Sequence, residues 1–75
     1  MTLANLDLNQ KCIIKKLNTD GIIHRRFQDL GIVPGNLVEC VLISPFKNPK
    51  AFKVNGMVLA IRNEDSEHIE VEEIE

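Results

Sequence analysis

The sequence predicts a small, mainly β fold: about five short strands, one α-helix inserted after the first strand, and a short helical turn at the N-terminus. Three observations carry this expectation. Short apolar, β-branched runs recur along the chain, each bounded by Gly, Pro, Asn or Asp. Only residues 22–30 repeat apolar side chains at a helical period. A chain of 75 residues is one domain, too short to split, and buries about 60% of the surface its unfolded form exposes.

Taken in order, Leu3-Ala4-Asn5-Leu6 reads as a helical turn with Thr2 as its cap. Residues 12–17 (Cys-Ile-Ile-Lys-Lys-Leu) read as a strand, ended by Asn18-Thr19-Asp20-Gly21. Asp20 suits the N-cap of a helix over residues 22–30, with Ile23, Phe27 and Leu30 on one stripe and Gly31 as its stop. Val33-Pro34-Gly35-Asn36 fits a type II turn that launches a second strand over residues 37–44. Residues 45–49 carry two prolines and form a loop. Asn55-Gly56 is the favoured pair for a type I′ turn, so residues 51–54 and 57–61 make a hairpin with Val54 opposite Met57 and Phe52 opposite Leu59. Residues 63–68 suggest a turn or 3₁₀ segment, and residues 69–72 a last strand. Strands this short and twisted close best into a barrel, which hides their edges; an SH3-like barrel is the expected architecture.

Composition narrows the function classes. With 44% apolar and 27% charged residues the chain is globular rather than disordered. A formal charge of −2 argues against a domain wholly devoted to nucleic acid. No apolar run approaches the roughly 20 residues of a membrane span. The opening MTLANLDLNQ has neither the basic nor the apolar region of a signal peptide, so Cys12 and Cys40 are expected as reduced thiols in a cytoplasmic protein. Charge is uneven: Glu64, Asp65, Glu67, Glu70, Glu72, Glu73 and Glu75 fill the end, while all nine basic residues precede them. This is a solubilising acidic end or a bipolar surface that orients a partner.

No catalytic motif is present: no glycine-rich phosphate loop, H-E-x-x-H, C-x-x-C or nucleophile elbow. The expectation is a non-enzyme without cofactor. Cys12, His24, Cys40 and His68 lack the short spacing of a transition-metal site, and no preformed metal site is expected, although the acidic end could hold a divalent cation weakly. Basic residues cluster at Lys15/Lys16, Arg25/Arg26 and Lys47/Lys50/Lys53, but three phenylalanines and no Tyr or Trp supply little for base stacking.

The second strand is the anomaly. If Val38, Cys40 and Leu42 face inward, then Leu37, Val41 and Ile43 face outward with only Glu39 between them, where a half-buried strand should alternate with polar residues. Phe46 extends that strip. Either another element covers it, or it is a protein-contact surface.

The run Arg25-Arg26-Phe27-Gln28-Asp29-Leu30-Gly31-Ile32-Val33-Pro34-Gly35 resembles the FeoA family, with its arginine-rich helix, Leu-Gly-x-x-Pro-Gly turn and valine-rich strand. The likeness continues through Ser44-Pro45-Phe46-Lys47-Asn48-Pro49 and Asn55-Gly56-Met57-Val58-Leu59-Ala60-Ile61-Arg62 to Ile69-Glu70-Val71. Phe27 stands where leucine is usual, and Ser44 where alanine is usual. The resemblance implies an SH3-like barrel and a cytosolic partner of FeoB, the GTPase-bearing ferrous iron transporter, in free-standing form rather than fused to a metal-dependent repressor.

The expected function is therefore a non-enzymatic adaptor that binds and modulates that transporter. Leu37, Val41, Ile43 and Phe46 would make the contact, and Arg25, Arg26, Lys47 and Lys50 a charged rim. The alternatives are a nucleic-acid-binding small barrel and a metal-sensing domain, and self-association is also open.

Overall fold

The computed structural model describes residues 1–74. Glu75, the last acid of the C-terminal run, lies outside the described residues. A 3₁₀ turn, Leu3–Asn5, opens the chain, and the Thr2 backbone N–H donates to Asn5 Oδ1 at 2.8 Å. Leu3 and Leu6 are fully buried, so this turn closes one end of the core. Then follow β1 (Lys11–Leu17), α1 (Gly21–Asp29), β2 (Leu37–Ile43), β3 (Lys50–Val54), β4 (Met57–Ile61), the short helix α2 (Asn63–Ser66) and β5 (Ile69–Glu73). The strands form one antiparallel sheet in the order β4-β3-β2-β1-β5. Five strands, an inserted helix and an N-terminal turn match the expectation; residues 63–66 are α-helical where a turn or 3₁₀ segment was expected.

Local chemistry explains the boundaries. Helix α1 ends in a Schellman arrangement: Ile32 N–H donates to the Phe27 carbonyl at 2.9 Å and Gly31 N–H to the Gln28 carbonyl at 3.1 Å. This requires positive φ at Gly31, which has +91°. At the helix start Asp20 has the extended backbone of an N-cap but its carboxylate makes no capping bond. The β3–β4 turn has φ of +52° at Asn55 and +77° at Gly56, as a type I′ turn demands, and the register pairs Val54 with Met57 and Phe52 with Leu59.

Two irregularities bend the sheet. The register shifts between Ile14 and Lys16 on β1 and between Cys40 and Leu42 on β2. Each inserts one residue, Lys15 or Val41, and reverses which side chains face the core beyond it. Leu17 and Ile43 therefore pack against the core, and Leu42 turns out to 61% exposure. The expected facing of Leu42 and Ile43 is thus reversed. An extra residue breaks the two-residue period, and the unbroken apolar run Val41-Leu42-Ile43 leaves no polar position to mark it. The core joins Phe52, Ile14, Val38, Cys40, Val54 and Ile69 from the sheet with Phe27 from α1 and Ile32 beyond it. Burying each large apolar side chain contributes on the order of 1.5–3 kcal/mol.

Candidate functional site

The outer face of β2 carries two exposed leucines, Leu37 at 49% and Leu42 at 61%. Between them Glu39 pairs across the sheet with Lys11 on β1 and Lys53 on β3. Beside Leu42 lie Ala51 and, one strand further, Ala60, small side chains that leave it standing proud. Beyond β2, residues 44–49 turn sharply: Lys47 N–H donates to the Ser44 carbonyl at 2.8 Å, with Lys47 at φ +62°.

That loop is braced on α2. Asn48 Oδ1 accepts from the Asn63 backbone N–H at 3.0 Å, Asn48 Nδ2 donates to Glu64 Oε1 at 3.0 Å, and Asn63 Nδ2 donates to the Lys47 carbonyl at 3.0 Å. Phe46 stands at its tip with 92% of its surface exposed. The braced loop fixes where the ring is presented, and the ring has a large area to bury, the property of an interface anchor.

Of the eight residues expected at the interface, Leu37, Phe46 and Lys47 are exposed in this region. Val41, at the bulge, and Ile43, turned to the core, are half-buried. Lys50 is not a rim residue. It has the core-facing parity of Phe52 and Val54, is 9% exposed, and its Nζ donates to the Ala4 and Leu6 carbonyls at 2.6 and 3.0 Å. A buried ammonium needs such acceptors, and here they tie the N-terminal turn to β3. Arg25 and Arg26 are exposed on α1, but Arg26 lines a groove with Leu59, Ala60 and Arg62, beside β4 rather than β2. Exposed Leu42 was missed for want of a signal; the burial of Lys50 was readable from its alternation with Phe52.

The residues behind the other readings are occupied elsewhere. Phe27 and Phe52 are in the core, as their parity suggested, leaving Phe46 as the exposed aromatic ring. Cys12 and Cys40 are fully buried, and burial pushes both thiols above their ordinary value of 9.0, with Glu73 adding to the rise at Cys12. His24 Nδ1 lies 2.8 Å from the Thr19 hydroxyl, and His68 is 3.7 Å from Glu67. Among the described residues no three His, Cys, Asp or Glu side chains converge as a metal site would require.

A family model described as the FeoA domain matches residues 1–73. The chain belongs to the FeoA family. This FeoA domain is 27% identical over 72 residues to an Fe(2+) transport protein A/Fe(2+) transporter FeoB fusion protein of Porphyromonas gingivalis, covering 96% of the chain but 8% of that protein's length. The solution structure of FeoA from Chlorobium tepidum superposes with a TM-score of 0.94 at 27% identity, covering 100% of this chain and 71% of that one. The crystal structure of Stenotrophomonas maltophilia FeoA, complexed with zinc, gives 0.85 at 26% identity over 96% of this chain and 89% of that one. That protein is described as an SH3 domain protein and a candidate activating factor for ferrous iron transport. The FeoA domain here thus has the mainly β, SH3-like fold expected.

Proposed function

We propose that this FeoA domain is a non-enzymatic, cytoplasmic accessory module of ferrous iron uptake that binds an FeoB-type transporter and modulates it. The observation that carries the reading is the Porphyromonas gingivalis relative, in which one polypeptide holds both transport protein A and the transporter. Covalent linkage keeps two modules at high effective concentration, which is of use only if they engage. Among the described residues no helix is long and apolar enough to cross a membrane. In this reading the contact is made by Phe46 and Leu42 with Leu37 at the margin, and Lys47, Lys53 and Lys11 form a basic rim that governs association rate more than affinity.

The test is an NMR titration of the labelled domain with the soluble GTPase domain of an FeoB-type transporter, repeated with full-length transporter in nanodiscs. Shifts should cluster on residues 37–49. The double variant Leu42→Ala/Phe46→Ala should stay folded and weaken binding about tenfold or more, as loss of an anchor does. Ile43→Ala should instead lower stability, by about 2 kcal/mol, because Ile43 packs on the core. Unchanged affinity in the folded double variant, or no binding in either titration, would overturn the assignment.

A further inference from the structure

We infer that the free edge of β4 is a second docking site, which takes an extended, acid-flanked apolar segment of a partner protein as a sixth strand. The inference concerns the edge of β4 rather than the β2 face, sharing with the transporter reading only Lys53 at their border, and does not depend on that reading. Strand β4 ends the sheet. Its type I′ turn makes Val54 and Met57 a hydrogen-bonded pair, and bonded and non-bonded pairs alternate along an antiparallel ladder. Val58 and Ala60 thus fall at non-bonded positions, and their N–H and C=O groups point away from β3. Among the described residues no other backbone segment donates to them or accepts from them.

Natural edges are usually blunted by charge, proline or a bulge. Met57-Val58-Leu59-Ala60-Ile61 has no charged residue and no proline, its ladder is regular, and Val58 is 61% exposed. A groove runs beside it, lined by Phe27 of α1, by Leu30 just after that helix and by Leu59. Strand addition works on such an edge: backbone bonds supply affinity and alternate side chains enter the groove.

Charge selects the occupant. Arg26 and Arg62 line the groove against one acid, Asp65, and Lys53 stands opposite Val58 on the other face. The ion pairs within 4.0 Å among the described residues are Lys15–Glu72 and His68–Glu67, so these three cations have no carboxylate partner. Side chains of an incoming strand alternate between faces, so acids two or four residues apart meet Arg26 and Arg62 when they point into the groove, and Lys53 is reached only from the intervening positions. A second copy would not supply them: antiparallel pairing about Leu59 brings Arg26 and Arg62 of both copies into one groove.

The probe is a blocked peptide, Glu-Val-Thr-Val-Glu, compared with Lys-Val-Thr-Val-Lys, each titrated to millimolar concentration into the labelled domain at low salt. The acidic peptide should shift the Val58 and Ala60 amides, slow their exchange with solvent, and bind about tenfold tighter than the basic one. Ala60→Pro removes one outward N–H without touching the β3 ladder and should abolish binding with the remaining spectrum intact. Should that variant not fold, Arg26→Glu/Arg62→Glu keeps the edge and should reverse the peptide preference. No shift on β4, equal affinity for both peptides, shifts confined to residues 37–49, or concentration-dependent pairing of the domain through these same amides would overturn the inference.

Discussion

At the β5 end of the sheet the outer backbone is covered: Val71 N–H donates to the Met1 carbonyl at 3.0 Å and Thr2 forms a bridge with Glu70. Strand β5 itself carries Glu70, Glu72 and Glu73, and three of its five residues are exposed acids. Strand β4, at the other end, carries no charge, and among the described residues no segment pairs with its outer side. Both edges border the same core and carry the same aggregation hazard, yet only one has the usual protection. The difference locates where the fold is closed to further pairing and where it remains open.

The largest effect that would blur this contrast is expected at Lys50. Its ammonium holds the Ala4 and Leu6 carbonyls, and so the turn from which Met1 and Thr2 reach β5. Lys50→Met keeps much of the apolar stem but orphans both carbonyls and should cost about 2–3 kcal/mol, a large share of a small domain's stability. Native-state hydrogen exchange should show the Val71 amide losing protection before the amides of the β3–β4 hairpin. Loss in parallel at both ends would mean that Lys50 supports the whole core rather than the covered edge.

A smaller effect should appear in alkali, and the acidic edge contributes to it. Burial raises the thiol pKa of Cys12 and Cys40, and Glu73, paired with Cys12 across β1 and β5, raises that of Cys12 further, whereas Lys50 opposes the rise at Cys40. A raised folded-state pKa favours the fold while the unfolded chain keeps its thiols protonated, and that advantage is lost as pH climbs past their ordinary value of 9.0. The denaturation midpoint under reducing conditions should therefore fall between about pH 8 and about pH 10. Glu73→Gln should lessen the fall. A midpoint that is flat across this range would contradict the burial of both thiols.

The features readable in the sequence were those with local chemistry. Asn55-Gly56 set the β3–β4 register, Gly31 set the end of α1, and Pro34-Gly35 the start of β2. The bulge at Val41 was not readable, because Val41, Leu42 and Ile43 are interchangeable in pattern and the shift arises from how β2 bends against β3. That one residue exchanged Ile43 for Leu42 at the candidate interface. Lys50 was readable and misassigned: a basic residue grouped by charge with Lys47 and Lys53 had the parity of the core. The open edge of β4 could not be seen in the sequence, since strand order depends on contacts between distant residues such as Met1 and Val71.

The smallest effect concerns what the acids on β5 do. Lys15, the inserted residue of β1, lies 3.5 Å from Glu72, with side chains 55% and 66% exposed. Water screens such a pair and both side chains lose freedom to hold it, so Glu72→Gln should change unfolding free energy by less than about 0.5 kcal/mol. The acid's contribution should appear elsewhere, as resistance to edge pairing during partial unfolding, because an exposed charge on a β edge disfavours a neutral neighbouring strand. Heating Glu72→Gln and wild type at low salt should give matching midpoints but earlier aggregation in the variant. A stability loss above about 1 kcal/mol would instead make the ion pair a structural clamp on β5, and the contrast between the two edges would then be one of stability as well as of access.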